Sequence, residues 1–182
     1  MAADSLVRAR AGDRHAFASL IRTHQRLVYS LALRMLSDAH EAEDLAQEVF
    51  MQLHRRIAAI ESDAHLLFWL RKVTTNQAID RLRQDKRHRI VPLDDDPGIA
   101  AEPLESDPLL QQRLRVLIAQ LPAAPRAVVL LRFQEDMDPT EIAEALDMSI
   151  NTVKSHLRRS IAVLREGLSG VSDAARSSDE VA

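Results

Sequence analysis

Apolar residues recur along this chain at helical spacing, in separate blocks. Phe17, Leu20, Ile21, Leu27, Val28, Leu31 and Met35 fall on one helical face, which Ser37-Asp38 interrupts. Leu45, Val49, Leu53 and Ile57 then recur every fourth residue and predict a second helix, broken at Glu61-Ser62-Asp63. A third helix is expected from about Leu66 to Arg83, with Leu66, Leu70, Val73 and Ile79 inward. The pattern stops over Val91–Pro108, where Pro92, Pro97, Gly98, Pro103 and Pro108 lie among acids. Proline and like charges oppose helix and compact packing, and structureless loops of this length are uncommon inside a compact domain. The stretch therefore reads as a linker, able to reach about 60 Å if extended.

Helical spacing resumes at Leu109 and runs to about Gln120. It breaks at Leu121-Pro122-Ala123-Ala124-Pro125, restarts to about Gln134, and is followed by two short helices. After Gly167 the chain turns to Ser, Asp, Ala and Gly, so a disordered tail is expected over 169–182. The prediction is an all-α protein. A helical domain at 11–90 and another at 109–168 are joined by a flexible acidic linker at 91–108. Ala, Leu, Arg, Glu and Gln dominate the composition and are strong helix formers.

The 182 residues suit one ordinary domain or two small ones. There is no Cys, which excludes disulfides, thiolate zinc sites and cysteine catalysis. No apolar run approaches the roughly 18 residues that span a bilayer. The opening MAADSLVRARAGDRHAF lacks a signal peptide's apolar core, so a cytoplasmic protein is expected. The net charge of −3 argues mildly against a nucleic-acid ligand, but charge is segregated. Arg81–Arg89 holds five Lys/Arg and one acid, Asp94–Asp107 six acids and no base, and Ser149–Arg165 four Lys/Arg and no acid. Distribution outweighs the sum when the partner is a phosphate backbone.

Asp138–Leu164 carries the most information. Asp138 suits an N-cap, Pro139 the first helical position, and Glu141 the acid of a capping box. Ile142, Ala143 and Leu146 form an inner face. Asp147-Met148-Ser149 is a turn, with Ser149 capping the next helix. Ile150, Val153, Leu157, Ile161 and Leu164 then recur at helical spacing. Asn151, Thr152, Lys154, Ser155, Arg158 and Arg159 are left facing outward. A helix-turn-helix needs this arrangement: short polar side chains for base edges near the start of the second helix, and cations for phosphate and guanine. The plainer alternative is a capped helical hairpin with a solvated basic face.

A second basic element begins at Phe68-Trp69 and continues through Arg71, Lys72, Asn76, Asp80, Arg81, Arg83, Lys86, Arg87 and Arg89. Aromatics beside a basic stripe could stack unpaired bases while cations follow the backbone. Trp69 could equally be core, with the arginines solvated. His24, His40, His54, His65, His88 and His156 are scattered without metal-ligand spacing, and no Gly-rich phosphate loop appears. Asp94-Asp95-Asp96 reads as a solvated charge run. No enzyme, metal, cofactor or small-molecule substrate is expected.

The blocks, taken in order, resemble the extracytoplasmic-function group of the sigma-70 family of RNA polymerase sigma factors. Ala11-Gly12-Asp13 with Ala16-Phe17 and Leu20 is similar to the group's opening. Glu43-Asp44-Leu45-Ala46-Gln47-Glu48-Val49-Phe50 resembles its polymerase-binding helix. Trp69-Leu70, Val73, Asn76, Asp80 and Arg83 resemble its promoter-melting helix. The second-domain blocks are Leu121-Pro122, Arg126, Val128–Leu131, Glu141-Ile142-Ala143, Leu146 and Thr152–Arg159. Asn151 stands where a small Gly is usual, Thr75 where a basic residue is usual, and Phe68 where a smaller residue is common. All three changes are expected near DNA.

The resemblance implies two partners at least, core RNA polymerase and promoter DNA as duplex and as opened single strand. Asp44, Leu45, Gln47, Glu48 and Phe50 would bind the polymerase clamp helices. Ser62, Asp63 and His65, in a loop that captures a flipped base, would serve the −10 element with Trp69, Arg71, Lys72, Asn76, Arg81, Arg83, Lys86 and Arg87; Trp69 could instead pack beneath the loop. Asn151, Thr152, Lys154, Ser155, Arg158 and Arg159 would read the −35 element, and the segment Leu121 to Phe133 would carry the polymerase flap. The group also implies an anti-sigma factor, often membrane-bound, that covers the polymerase-binding faces. The competing reading is a dimeric helix-turn-helix regulator that never touches polymerase.

Overall fold

The computed structural model describes residues 2–84 and 108–179, and the chain divides into two units, Met1–Val91 and Pro92–Ala182. Residues 91–107 of the expected acidic linker lie outside the described residues.

In the first unit, α1 (Ala2–Arg10) and α2 (Arg14–Leu36) meet at Gly12, whose φ of 91° favours glycine. Asp13 caps α2, accepting from the His15 and Ala16 amides at 2.8 and 3.1 Å, while the Arg8 guanidinium grips its other oxygen. The cap amides and Arg8 hold the Asp13 carboxyl below its ordinary value. Helix α2 ends on Ser37 in the left-handed region, and Asp38 caps α3 (Ala39–Arg56) by accepting from the Glu41 amide. A 3-10 turn (Ile57–Ala59) leads into α4 (Asp63–Gln84).

Helices α1, α3 and α4 each pack on α2, and α3 also packs on α4. Val28, Leu31 and Met35 from α2, Leu45, Val49 and Leu53 from α3, and Leu66 and Leu70 from α4 are fully buried. Each such side chain contributes about 1.5–3 kcal/mol by leaving water. Helix α1 was not expected from the sequence. Among the described residues it buries Leu6 and Ala9, too few to set a period.

In the second unit, α5 (Pro108–Gln120), α6 (Ala123–Phe133) and α7 (Pro139–Leu146) are held together, with α5, α6 and α7 each packing on α8 (Ile150–Asp179). Leu121, Val129 and Leu164 form one small cluster with Leu114, Leu117 and Ile118 around it. Val128, Leu131, Ile142, Ala145 and Val153 are buried among α6, α7 and the start of α8. The buried Arg126 ties off the end of α5, its guanidinium donating to the carbonyls of Ala119 and Leu121. Burial pushes that guanidinium below its ordinary value.

The sequence pattern predicts that helix stops at about Gly167; instead α8 continues to Asp179. A Cβ at Gly167 would lie 2.6 Å from Leu117 Cδ2, so any larger residue there must displace the Leu117 side chain from its place between α5 and α8. Arg113 Nε, donating to the Gly167 carbonyl at 3.1 Å, joins the same two helices. Once a helix is nucleated by packing, each further residue adds a hydrogen bond at little cost. Gly167→Val should force the Leu117 side chain aside and destabilise the second unit by about 1 kcal/mol, measured by chemical denaturation of the full chain.

The capping box on α7 is complete. Asp138 Oδ1 accepts from the Thr140 and Glu141 amides at 2.6 and 2.9 Å, and the Asp138 amide donates to Glu141 Oε2 at 2.8 Å. These amide bonds hold the Asp138 carboxyl below its ordinary value of 3.8. Because the folded value is the lower one, the cap's stabilisation is complete above the unfolded value and is lost as pH falls through the folded one. A thermal melt of Asp138→Asn should keep most of the wild-type stability at pH 7 but lack this acid-limb dependence; Asp138→Ala should melt lower at every pH above about 4.

Candidate nucleic-acid and polymerase interface

Helix α3 is set in rotation by its buried stripe. With Leu45, Val49 and Leu53 inward, Asp44, Gln47 and Glu48 lie on the far side. Leu45 is 0% exposed and Phe50 is also buried, so these two of the expected polymerase contacts belong to the core and hold the surface residues in place. Met51, one turn beyond Gln47 and Glu48 and two beyond Asp44, is 58% exposed and joins their surface. Sequence reasoning missed Met51 because one methionine on a charged face breaks no pattern. Asp44 Oδ2 lies 3.3 Å from His40 Nδ1, one turn away. Hydrogen bonding at the helix start, with the charges of Asp44 and Asp38, holds the His40 imidazole above its ordinary value.

The loop into α4 is anchored by Ile60 and Leu66, both buried, which leaves Glu61 and Ser62 exposed between them. Ser62 Oγ accepts from the His65 amide at 3.1 Å, and His65 Nδ1 accepts from the Glu61 amide at 3.3 Å. Ser62 and His65 thus close the loop as a reciprocal cap. Asp63 is half-buried at the start of α4. Burial lowers the His24 imidazole, and the charge of Asp63 opposes that effect.

Along α4, helical spacing brings His65, Trp69, Lys72, Asn76 and Arg83 onto one outward stripe. Trp69 is half-buried, and the Lys72 ammonium lies 5.9 Å from the centre of the Phe68 ring, so aromatic and cation are already paired. Arg83 lies 3.7 Å from Asp80. Arg71 is half-buried and lies to one side of this stripe.

Two expectations on α4 need correction. Thr75 is 0% exposed, and its hydroxyl donates to the Arg71 carbonyl at 2.8 Å, so it is a core residue and not one near DNA. Arg81 is turned away from the stripe onto α3, where it bonds Glu41 and Glu48. Burial opposes its charge, but the bonds and charges of Glu48 and Glu41 outweigh that and hold the guanidinium above its ordinary value. Lys86 and Arg87 lie outside the described residues.

In the second unit, α7, the turn through Asp147 and the first turns of α8 form a helix-turn-helix. Asp147 takes a left-handed φ of 53°, and the Met148 amide donates to the Ala143 carbonyl at 2.9 Å, ending α7. Ser149 Oγ accepts from the Thr152 amide at 3.1 Å and lies 2.8 Å from the Thr152 hydroxyl. Val153, Ser160 and Leu164 face the core. Asn151, Thr152, Lys154, Arg158 and Arg159 are exposed on the opposite side and Ser155 is half-exposed. Ile150, expected inward, is instead at the exposed start of the helix, and Ala145 replaces Ala143 as the small buried residue of α7.

The chain matches the family models Sigma-70 region 2 over residues 20–88 and Sigma-70, region 4 over residues 111–164. It belongs to the sigma-70 family, in the extracytoplasmic-function group. Among its relatives is the ECF RNA polymerase sigma factor SigW of Bacillus subtilis, 31% identical, with 86% of this chain and 91% of that protein aligned. Another is the sigma-E factor of Streptomyces coelicolor, 34% identical over 86% of this chain and 88% of that one. A solved structure of the sigma factor RpoE with the anti-sigma factor NepR, from Bartonella quintana, shares the fold. Its TM-score is 0.67 at 21% identity, covering 84% of this chain and 96% of that one. CnrH, solved with the cytosolic domain of CnrY, gives a TM-score of 0.63 at 21% identity, covering 93% and 96%. This sigma factor is therefore a transcription initiation factor. Among the described residues no helix is long and apolar enough to cross a membrane.

The Ser149 cap fixes both the start of α8 and the Thr152 hydroxyl. Ser149→Ala should cost about 1 kcal/mol of stability in the second unit, read by denaturation, and weaken promoter binding more than Asp147→Ala does.

Proposed function

We propose that the first unit binds the clamp helices of core RNA polymerase through Asp44, Gln47, Glu48 and Met51, and serves the −10 element through the Ser62–His65 loop and the α4 stripe. The observation that carries this is the pairing of two different surfaces on one small bundle. One helix shows exposed carboxylates, and another shows a tryptophan and cations at helical spacing. Trp69, Lys72 and Asn76 stack against and hold an opened strand, while Arg83 and the cations beyond it follow phosphate. Base capture by the loop must offset a few kcal/mol of unstacking.

The second unit reads the −35 element as duplex. Asn151 and Thr152 meet base edges, and Lys154, Arg158 and Arg159 meet phosphate or guanine. The region from Leu121 to Phe133, with Phe133 exposed at its end, carries the polymerase flap. The acidic linker gives the reach between the two promoter elements. The chain acts in the cytoplasm, without catalytic chemistry of its own. An anti-sigma factor that covers its polymerase-binding surfaces controls it, a reading supported by the complexes in which the fold neighbours were solved.

In run-off transcription with core polymerase, Lys154→Ala and Arg158→Ala should each cut promoter use. Each should also lower the salt slope of promoter binding by about one for every phosphate no longer neutralised. Core binding should stay intact. Asp44→Ala combined with Glu48→Ala should do the reverse. Equal loss of core binding in both sets would overturn the assignment.

A further inference from the structure

Arg81 belongs to α4, but its guanidinium lies on α3. Nη1 donates to the Glu41 carbonyl and to Glu41 Oε2, both at 3.0 Å, and Nη2 lies 2.8 Å from Glu48 Oε2. Glu41 and Glu48 are two turns apart on one face of α3, and a single planar fork spans them. The Arg81 side chain is only 22% exposed, whereas the two glutamates remain 51% and 57% exposed. The arginine takes Oε2 of each carboxylate. To reach promoter phosphate it would have to give up three acceptors and leave two like charges unneutralised.

We propose that Arg81 is a positioning residue for polymerase binding. It holds Glu48, with Glu41 as second anchor, in the geometry that meets a cationic surface of core polymerase, and it does not contact the promoter. This rests on the reading that the exposed face of α3 meets polymerase. A glutamate on an exposed helix samples several rotamers, and ordering it before the encounter removes part of the entropy that binding otherwise loses. Only a fork with two separate Nη groups can hold both carboxylates. A lysine ammonium is a point charge that serves a phosphate well but holds this pair poorly.

The test measures affinity of the full chain for core polymerase, for wild type, Arg81→Gln, Arg81→Lys, Glu48→Gln and the Arg81→Gln/Glu48→Gln double variant. Arg81→Gln is expected to weaken core binding by about three- to fivefold. It should cost much less when Glu48 is already Gln. Arg81→Lys should recover only part of the loss, and the salt slope of the promoter complex formed by saturated holoenzyme should not change. If Arg81→Gln leaves core affinity intact and lowers that slope by about one, Arg81 is a DNA ligand and the proposal fails. Equal cost in both Glu48 backgrounds also overturns it. If Glu48→Gln alone leaves core affinity intact, the polymerase-facing role of α3 fails first. Should Arg81→Gln melt early, Glu41→Gln is the second variant, with about a twofold loss of core affinity expected; an unchanged value counts against the proposal.

Discussion

Rotation of each helix about its own axis is the constraint on which this molecule's surfaces depend. A helix of eighteen residues such as α3 has no fixed outer face until something buries the inner one. Leu45, Val49 and Leu53 are removed from water completely, and turning the helix by one residue would expose them and bury carboxylates instead. Losing even one of those side chains to solvent costs about 1.5–3 kcal/mol, a large share of the marginal stability of a small domain. The position of Asp44, Gln47, Glu48 and Met51 on the outside is thus a consequence of the core. The same holds for α8, where Val153, Ser160 and Leu164 fix which way Lys154, Arg158 and Arg159 point.

Caps set the other coordinate, the point at which each helix begins. Asp13, Asp38, Asp138 and Ser149 each accept from backbone amides in the first turn of the helix that follows. A shift of one residue in the start of α8 would rotate every exposed side chain of that helix by about 100°. Ser149 therefore helps set the orientation of Asn151, Thr152 and Lys154. Asp13 has a double role, since Arg8 reaches it from α1 and joins that helix to the start of α2.

The long periodic helices and the helix-turn-helix were legible because their signals were redundant. The α7–α8 segment combined a cap, an N1 proline, a capping-box acid and an apolar period, all pointing to one structure. What escaped lacked that redundancy. Helix α1 offers two buried residues among those described, and Gly167 reads as a stop unless Leu117 is known to sit against it. Leu45 and Phe50 were grouped with their surface neighbours because a motif names consecutive residues, whereas a helix distributes them around its axis. Arg81 looked like part of a basic run because sequence does not reveal that Glu41, forty positions earlier, lies beside it. Thr75 looked polar and hence exposed, yet its hydroxyl is satisfied within its own helix, which makes its burial cheap.

Charge placement has a consequence for binding strength. The exposed cations on the outer side of the first turns of α8 are Lys154, Arg158 and Arg159. Each phosphate neutralised adds about 0.9 to the salt slope, so three such cations give a shallow dependence and a weak sequence-independent grip. A net charge of −3 supplies no long-range attraction to compensate. On the proposed reading, the first turns of α8 by themselves add little sequence-independent affinity for DNA.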